Sequence, residues 1–274
     1  MKKHLNEYTV EEKTQAVDLY HQGYSIRDIC DLLNLSYYET VYLLNRKVYE
    51  FDPLEHLSFA DVSDEELLIV SDTHIGSRKE NFEYINEAYR IAQNRGINTA
   101  IHTGDLLQST YAPIKPQYVD ETKQIERVLH DYPEIPDFNT FMLLGNHDIN
   151  TLKKDPLYMH TLQERKDFII MGFKRAYLTW LGNLICLYHN CKRYRLNIPK
   201  VDTILELHGH SHKLSQDKLG YLYVPTLSDD MIQQVDAKPG FLISSIKDDT
   251  LTVESYRFEN GLHEDGPVLT KKLK

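Results

Sequence analysis

The chain reads as an α/β protein preceded by a small all-helical unit. Three observations carry this: apolar runs alternate with amphipathic helical stretches from residue 67 onward, the later segments become almost wholly strand-like, and residues 1–50 show helical spacing alone. With 274 residues, 41% apolar and 26% charged, there is material for a core of about 200 residues plus a satellite. No run approaches the roughly 20 apolar residues needed to cross a bilayer. The N-terminal MKKHLNEYTV runs into polar sequence without a signal-peptide hydrophobic segment. Cys30, Cys186 and Cys191 show no zinc-ribbon spacing. The expectation is a cytoplasmic protein with no membrane contact.

Within residues 1–50, Thr9 caps a first helix with Glu12 three positions on, and Val10, Ala16, Val17 and Tyr20 fall near one side. Gly23 ends it. Ser25 caps a second helix, IRDICDLL, with Ile26, Ile29, Leu32 and Leu33 spaced to pack inward, and Ser36 caps a third running to about Lys47, with Val41, Leu44 and Val48 inward. Short helices joined by tight turns give a helix-turn-helix reading. Six Lys/Arg against eight Asp/Glu in this unit work against a phosphate-binding face. Tyr37, Tyr38, Tyr42 and Asn45 remain available for a duplex or a protein partner.

The stretch 51–66, with Pro53 and the acidic cluster Asp61, Asp64, Glu65 and Glu66, reads as a linker to a second domain at 67–274. There ELLIVS, NTAIHTG and FNTFMLLG are buried strands, with NFEYINEAYRIAQNRG and QYVDETKQIERVLHDY as the helices between them. FIIMG, RAYLTWLG, LICLYH, TILELHG, YLYVPT, FLISSIKD and LTVESYRF follow as short strands separated by turns.

Four polar clusters stand where strands end: SDTHIG at 71–76, TGDLL at 103–107, GNHD at 145–148 and GHSH at 209–212. Carboxyl ends of strands are where α/β proteins gather functional groups, because a rigid sheet brings distant loops together. Asp72, His74, Asp105, Asn146, His189, His210 and His212 supply mixed oxygen and nitrogen donors, which suit borderline divalent metals rather than an all-oxygen calcium site. A pair of metals needs a shared anionic bridge, which an aspartate can provide.

These clusters, with YHN at 188–190 between the third and fourth, resemble the calcineurin-like metallophosphoesterases, whose pattern runs D-x-H, G-D, G-N-H-D/E, a lone H, then G-H-x-H. The resemblance implies two mixed β-sheets packed face to face and flanked by helices. It implies two divalent metal ions, manganese foremost, with iron, zinc and nickel admitted by the same donors. Asp72, His74 and His212 would hold one ion, and Asn146, His189 and His210 the other, with Asp105 bridging both. Two such ions lower the pKa of a water and neutralise charge on the phosphoryl oxygens. His147 would face the leaving-group oxygen as general acid or electrostatic stabiliser, and Asp148 would accept a hydrogen bond from His147 and fix its tautomer. His102, just upstream, is expected to be structural.

The segment 23–46 resembles the helix-turn-helix of recombinase and phage or transposon regulatory proteins. Together with Lys192, Arg193, Tyr194 and Arg195 after His189, it favours a phosphodiesterase or nuclease acting on nucleic acid or nucleotides, with DNA held through the N-terminal unit. A small-molecule or protein phosphomonoesterase fits the net charge of -10. A DNA- or protein-binding regulator with an auxiliary esterase core is a third reading, and residues 1–60 could equally serve a homo-oligomer. Arg78 and Lys79 are further candidates to touch a substrate phosphate.

Overall fold

The computed structural model describes residues 9–22, 24, 26–35, 40, 43, 57–110, 120–154, 158–173, 175–189, 202–217, 220–229 and 238–273. In the N-terminal unit, α1 (Val10–His21) and α2 (Ile26–Leu33) pack through Ala16, Ile29 and Leu43, with Val17, Leu19, Cys30, Leu33 and Leu35 around them. The packed stripe passes through Ile29, Cys30 and Leu33 and turns Leu32, expected inside, out to solvent at 58% exposure. Thr40 and Leu43 are helical and buried. Most of the third helix expected at 36–47 lies outside the described residues, as do Gly23, Ser25, Tyr37, Tyr38, Tyr42, Asn45 and Cys191.

The stretch expected as a linker departs from that reading. Residues 57–62 form a strand, β1 (Leu57–Val62), pairing in parallel with β6 (Arg175–Trp180). Its sequence, LSFADV, lies between Pro53 and the acidic run Asp64, Glu65 and Glu66, which carried the linker reading, and its pairing partner is more than 100 residues away in the chain.

The larger domain then runs β2 (Glu66–Val70), α3 (Phe82–Asn94), β3 (Thr99–His102), α4 (Glu121–Asp131), β4 (Asn139–Leu144), α5 (Asn146–Lys154), α6 (Tyr158–Leu162) and β5 (Phe168–Phe173). After β6 come β7 (Asn183–Tyr188), β8 (Leu205–His208), β9 (Ser215–Gln216), β10 (Leu222–Tyr223), β11 (Gly240–Lys247), β12 (Thr250–Phe258) and β13 (Leu262–Lys272). Among the described residues the strands form two mixed sheets, one ordered β1-β6-β7-β8-β10-β9 and the other β13-β12-β11-β2-β3-β4-β5. The helices start where their sequences say they should: Asn81 accepts the Tyr84 N–H at 3.2 Å to cap α3, and Asp120 accepts that of Lys123 at 2.9 Å to cap α4.

The period-two alternation of β2 explains how the layers stack. Leu67 and Ile69 face the seam between the sheets with Ile101, Phe141, Leu178, Trp180, Ile185, Leu187 and Leu207. Leu68 and Val70 face the other way, toward Ile85, Ala88, Tyr89 and Ala92 of α3 and Ile125 and Val128 of α4. A strand buried on both faces reads as a continuous apolar run, which is why ELLIVS shows no polar alternation. Tyr89, fully buried, satisfies its hydroxyl with Tyr132 at 2.9 Å and Thr140 at 3.0 Å. No helix among the described residues is long and apolar enough to cross a membrane.

Candidate metal centre

β2, β3 and β4 lie parallel and adjacent, so their carboxyl ends open at one edge; β7 and β8, parallel in the other sheet, end at Tyr188 and His208, just before His189 and Gly209. The loops leaving β2 and β3 then run side by side. Asp72 donates its N–H to the Gly104 carbonyl at 2.9 Å, His74 to that of Asp105 at 3.1 Å, and Ile75 to that of Leu106 at 2.8 Å. In this pairing Asp72, His74 and Asp105 have φ of 51°, 45° and 56°; in the loop after β8, His210 and His212 have φ of 73° and 58°. Such left-handed conformations cost non-glycine residues about 1–2 kcal/mol each and persist only where surroundings enforce them.

Glycines make room for the approach. A β-carbon on Gly145 would run into the Asp105 carboxylate, and one on Gly209 would lie 2.7 Å from both Ser71 Oγ and the Thr103 carbonyl. Both residues must be bare for the clusters to meet.

Asp72 is fully buried, and its carboxylate accepts the Ser71 hydroxyl and the His210 N–H at 3.0 Å. Its backbone carbonyl accepts the Thr226 hydroxyl at 2.7 Å. His212 Nε2 lies 3.3 Å from Asp72 Oδ1 and 3.0 Å from His74 Nε2. Asp105 uses Oδ1 to accept the His147 N–H at 2.8 Å. Its other oxygen, Oδ2, is buried without a hydrogen bond and faces His189 Nε2 at 3.1 Å, His147 Nε2 at 3.9 Å and His74 Nε2 at 4.0 Å. Asn146 Oδ1 stands 3.2 Å from His189 Nε2.

Among the described residues three groups of donors therefore emerge, Asp72 with His74 and His212, His74 with Asp105 and His147, and Asp105 with His189 and His210, each with ligand atoms within 4.8 Å of one another. The tautomers suit cations. His189 Nδ1 donates to the Thr103 carbonyl at 2.8 Å, leaving the Nε2 lone pair pointed at a carboxylate oxygen and an amide oxygen. Lone pairs converging in a buried site repel unless a cation or a proton sits among them.

Without metal, protons meet part of that demand. Burial opposes charge on His189, yet Asp105 and Asp72 raise its pKa to about 9. His212 is likewise raised by Asp72 against the opposing effect of burial, whereas burial holds His74 low. Burial works against ionisation of Asp72 and Asp105 too, but the surrounding histidines carry both carboxylates well below the usual range.

The two residues expected to do proton chemistry are held differently from the sequence reading. His147 Nδ1 lies 2.6 Å from the Gln108 carbonyl, which can only accept, so Nδ1 carries the proton and Nε2 turns toward Asp105. Asp148 does not serve as the acceptor for His147. Its buried carboxylate takes the N–H groups of Leu107 and Gly145, each at 2.9 Å, that of Leu106 at 3.2 Å, and the Tyr158 hydroxyl at 3.3 Å. At the start of α5, Asp148 points back into the two strand-end loops and clasps them together. Burial and Asp105 push it up to about 6 against the pull of those N–H donors.

His102 is structural: its Nδ1 accepts the Gly104 N–H at 3.2 Å and its Nε2 meets Thr73 Oγ1 at 3.3 Å, with burial lowering its pKa to about 4. Ser71, Thr103 and Thr226 support Asp72 and His189 but were given no role from the sequence, although Ser71 and Thr103 open the SDTHIG and TGDLL clusters. Position beside a motif residue was the available signal for the first two, and nothing local marked Thr226. Arg78 and Lys79 are exposed, and residues 192–195 lie outside the described residues.

Comparison with known proteins matches residues 66–257 to the family described as calcineurin-like phosphoesterase. Residues 11–54 match a family described as putative ATPase subunit of terminase (gpP-like). No curated protein matches the chain. Similar solved structures include YfcE, a phosphoesterase from E. coli, 14% identical over 76% of this chain and 100% of that one, with a TM-score of 0.46. Vps29 from Chaetomium thermophilum is 12% identical over 80% and 99% of the two chains, with a TM-score of 0.47. A predicted phosphoesterase from Streptococcus pneumoniae is 14% identical over 74% and 97%, with a TM-score of 0.39.

Proposed function

Since this chain belongs to the calcineurin-like phosphoesterase family and is thereby a hydrolase, we propose that it cleaves a phosphodiester of nucleic acid or of a nucleotide at two divalent metal ions. The observation that carries this reading is Asp105 Oδ2, a buried carboxylate oxygen that faces the Nε2 atoms of His189, His147 and His74 at 3.1, 3.9 and 4.0 Å, with Asp105 shared by two groups of candidate donors. Asp72, His74 and His212 would hold one ion and Asn146, His189 and His210 the other, with Asp105 shared; manganese suits these donors, as do iron, zinc and nickel. When bound, the ions supply Lewis acidity toward a phosphoryl oxygen and an activated water.

The protein's own part is positioning and one proton. Ser71, Thr226 and the His210 N–H orient Asp72, and Thr103 fixes His189 in the Nδ1–H tautomer. His147 is partly exposed and anchored through Nδ1, so Nε2 is the ring atom left to act toward a departing alkoxide. The N-terminal unit, whose match is to a terminase family, favours a nucleic-acid substrate over a phosphomonoester.

The test compares bis-nitrophenyl phosphate with nitrophenyl phosphate, using purified protein loaded with each metal. A diesterase turns over the first faster, and preference for the second moves the assignment to the phosphomonoesterase reading. His147→Ala should keep its metals and lose roughly 10²- to 10⁴-fold on alkyl esters but less on nitrophenyl esters. Equal losses on both would remove the leaving-group role from His147.

A further inference from the structure

Beside the metal centre lies a cavity of about 160 Å³ lined by Lys213, Leu214, Pro225, Lys238, Arg257 and Asp265, among others. Two of its walls are continuous with the centre. Lys213 directly follows His212, and Pro225 precedes Thr226, which holds the Asp72 carbonyl. The floor is the paired start of β11 and end of β12, Gly240 opposite Arg257, tied to the same loop by the Gly240 N–H on the Thr226 carbonyl at 2.8 Å.

The wall holds three cations and one carboxylate in a chain whose net charge is -10. Two of the cations are braced: Arg257 binds Asp265 through Nε at 3.1 Å and a terminal nitrogen at 3.0 Å, and also meets Glu259, which Lys238 joins at 2.9 Å. These bonds leave N–H donors on both side chains uncommitted. Lys213 is exposed and makes no ion pair among the described residues. Asp265 and Glu259 balance the charge of Arg257 and Lys238, so the free ammonium of Lys213, with the uncommitted N–H donors of those two side chains beside it, is what suits a phosphate group.

We propose that this cavity binds a second phosphate of the same substrate molecule, next to the ester being cleaved, and so selects for substrates carrying more than one phosphate. This rests on the diesterase reading for the metal centre, and deepens it by naming where the adjoining nucleotide is gripped. Lys213 is the principal contact, and Lys238 and Arg257 complete the cradle.

Calorimetric titration of the full-length, manganese-loaded protein tests the proposal without turnover. Thymidine 3′-monophosphate and thymidine 3′,5′-bisphosphate differ by one phosphate, and the bisphosphate should bind about tenfold more tightly, as a charge-assisted phosphate contact provides. That difference should collapse in Lys213→Ala, an exposed position where the fold is not at stake, and shrink in Lys238→Gln. A phosphorylated dinucleotide, in which the added phosphate is an internucleotide diester, is titrated in the manganese-loaded His147→Ala background, where that diester is turned over too slowly to interfere, and separates a strand from a terminal phosphate: the ligand that loses more affinity when Lys213→Ala is added identifies the source. Equal affinities for the monophosphate and both larger ligands, or a difference that survives Lys213→Ala and Lys238→Gln together, overturns the proposal. A protein that binds as expected yet fails to cleave bis-nitrophenyl phosphate would sink the diesterase reading while leaving the cavity in place.

Discussion

Five of the seven proposed ligands occupy left-handed backbone, a conformation that Asp and His adopt more readily than most residues but that the motifs alone do not announce. The donor types and their order were legible in the sequence because D-x-H, GD, GNHD and GHSH are local. The geometry that makes Asp105 a shared ligand was not, because it depends on hydrogen bonds between loops more than 30 residues apart. Asp148 shows the same limit: adjacency to His147 suggested a pair, but the side chain of a residue in the first turn of a helix points to the preceding strand ends. Asp105→Asn should empty both metal positions, while Asp72→Asn should chiefly empty one. Elemental analysis reads this directly, and retention of two metals with normal turnover in Asp105→Asn would refute the bridge. Acidity supplies a second expectation. A ligand histidine must be neutral, and His189 in the metal-free protein is protonated up to a pH of about 9, with His212 also raised. Metal loading at pH 7 should therefore release protons, and affinity should climb with pH until it flattens above about 9. Calorimetry in buffers of different ionisation enthalpy counts those protons; a pH-independent affinity between 6 and 9 would show that His189 is not displaced from its protonated form.

Among the elements, β2, β3, β4 and the two capped helices were readable from apolar runs and from Asn81 and Asp120. β1 and β13 were not. β13 carries Glu264, Asp265, Gly266 and Pro267 along an exposed edge, a composition that protects an edge strand from further pairing and hides it from pattern reading. The clasp made by Asp148 belongs to this scale, because one carboxylate joins the β3 loop to the start of α5. Asp148→Asn keeps the shape but replaces an acceptor oxygen with an NH₂ group facing N–H donors. Unfolding free energy should fall by about 1–3 kcal/mol, and turnover should fall with it because Asp105 and Asn146 flank the clasp. Denaturant melts of the metal-free variant measure the first effect apart from the second. An unchanged midpoint would mean that the three N–H groups find other acceptors.

Over the whole molecule, the donors divide by sheet. Asp72, His74, Asp105 and Asn146 follow strands of the seven-stranded sheet, whereas His189, His210 and His212 follow strands of the six-stranded one. Each proposed ion takes ligands from both. Metal at 100 times its dissociation constant should then add about 2.7 kcal/mol to stability, and chelation should lower Tm by roughly 5–10 °C for a domain of this size. A melting temperature indifferent to chelator would mean that the folded protein does not hold the metals at this centre.

The seam between the sheets is filled by Trp180, Phe141, Leu187 and Leu207, the last three on the strands that lead into the loops of Asn146, His189, His210 and His212. Because the proposed ions would rivet that seam at one end, anything that loosens the apolar filling would be resisted by the rivet, and anything that strengthens the rivet would tighten the filling. Thermodynamic reciprocity makes the two effects equal in free energy. A cavity opened at Trp180 would be felt as weaker metal retention, and the metal supply of the cell would in turn set how firmly the two halves of the enzyme are closed on one another.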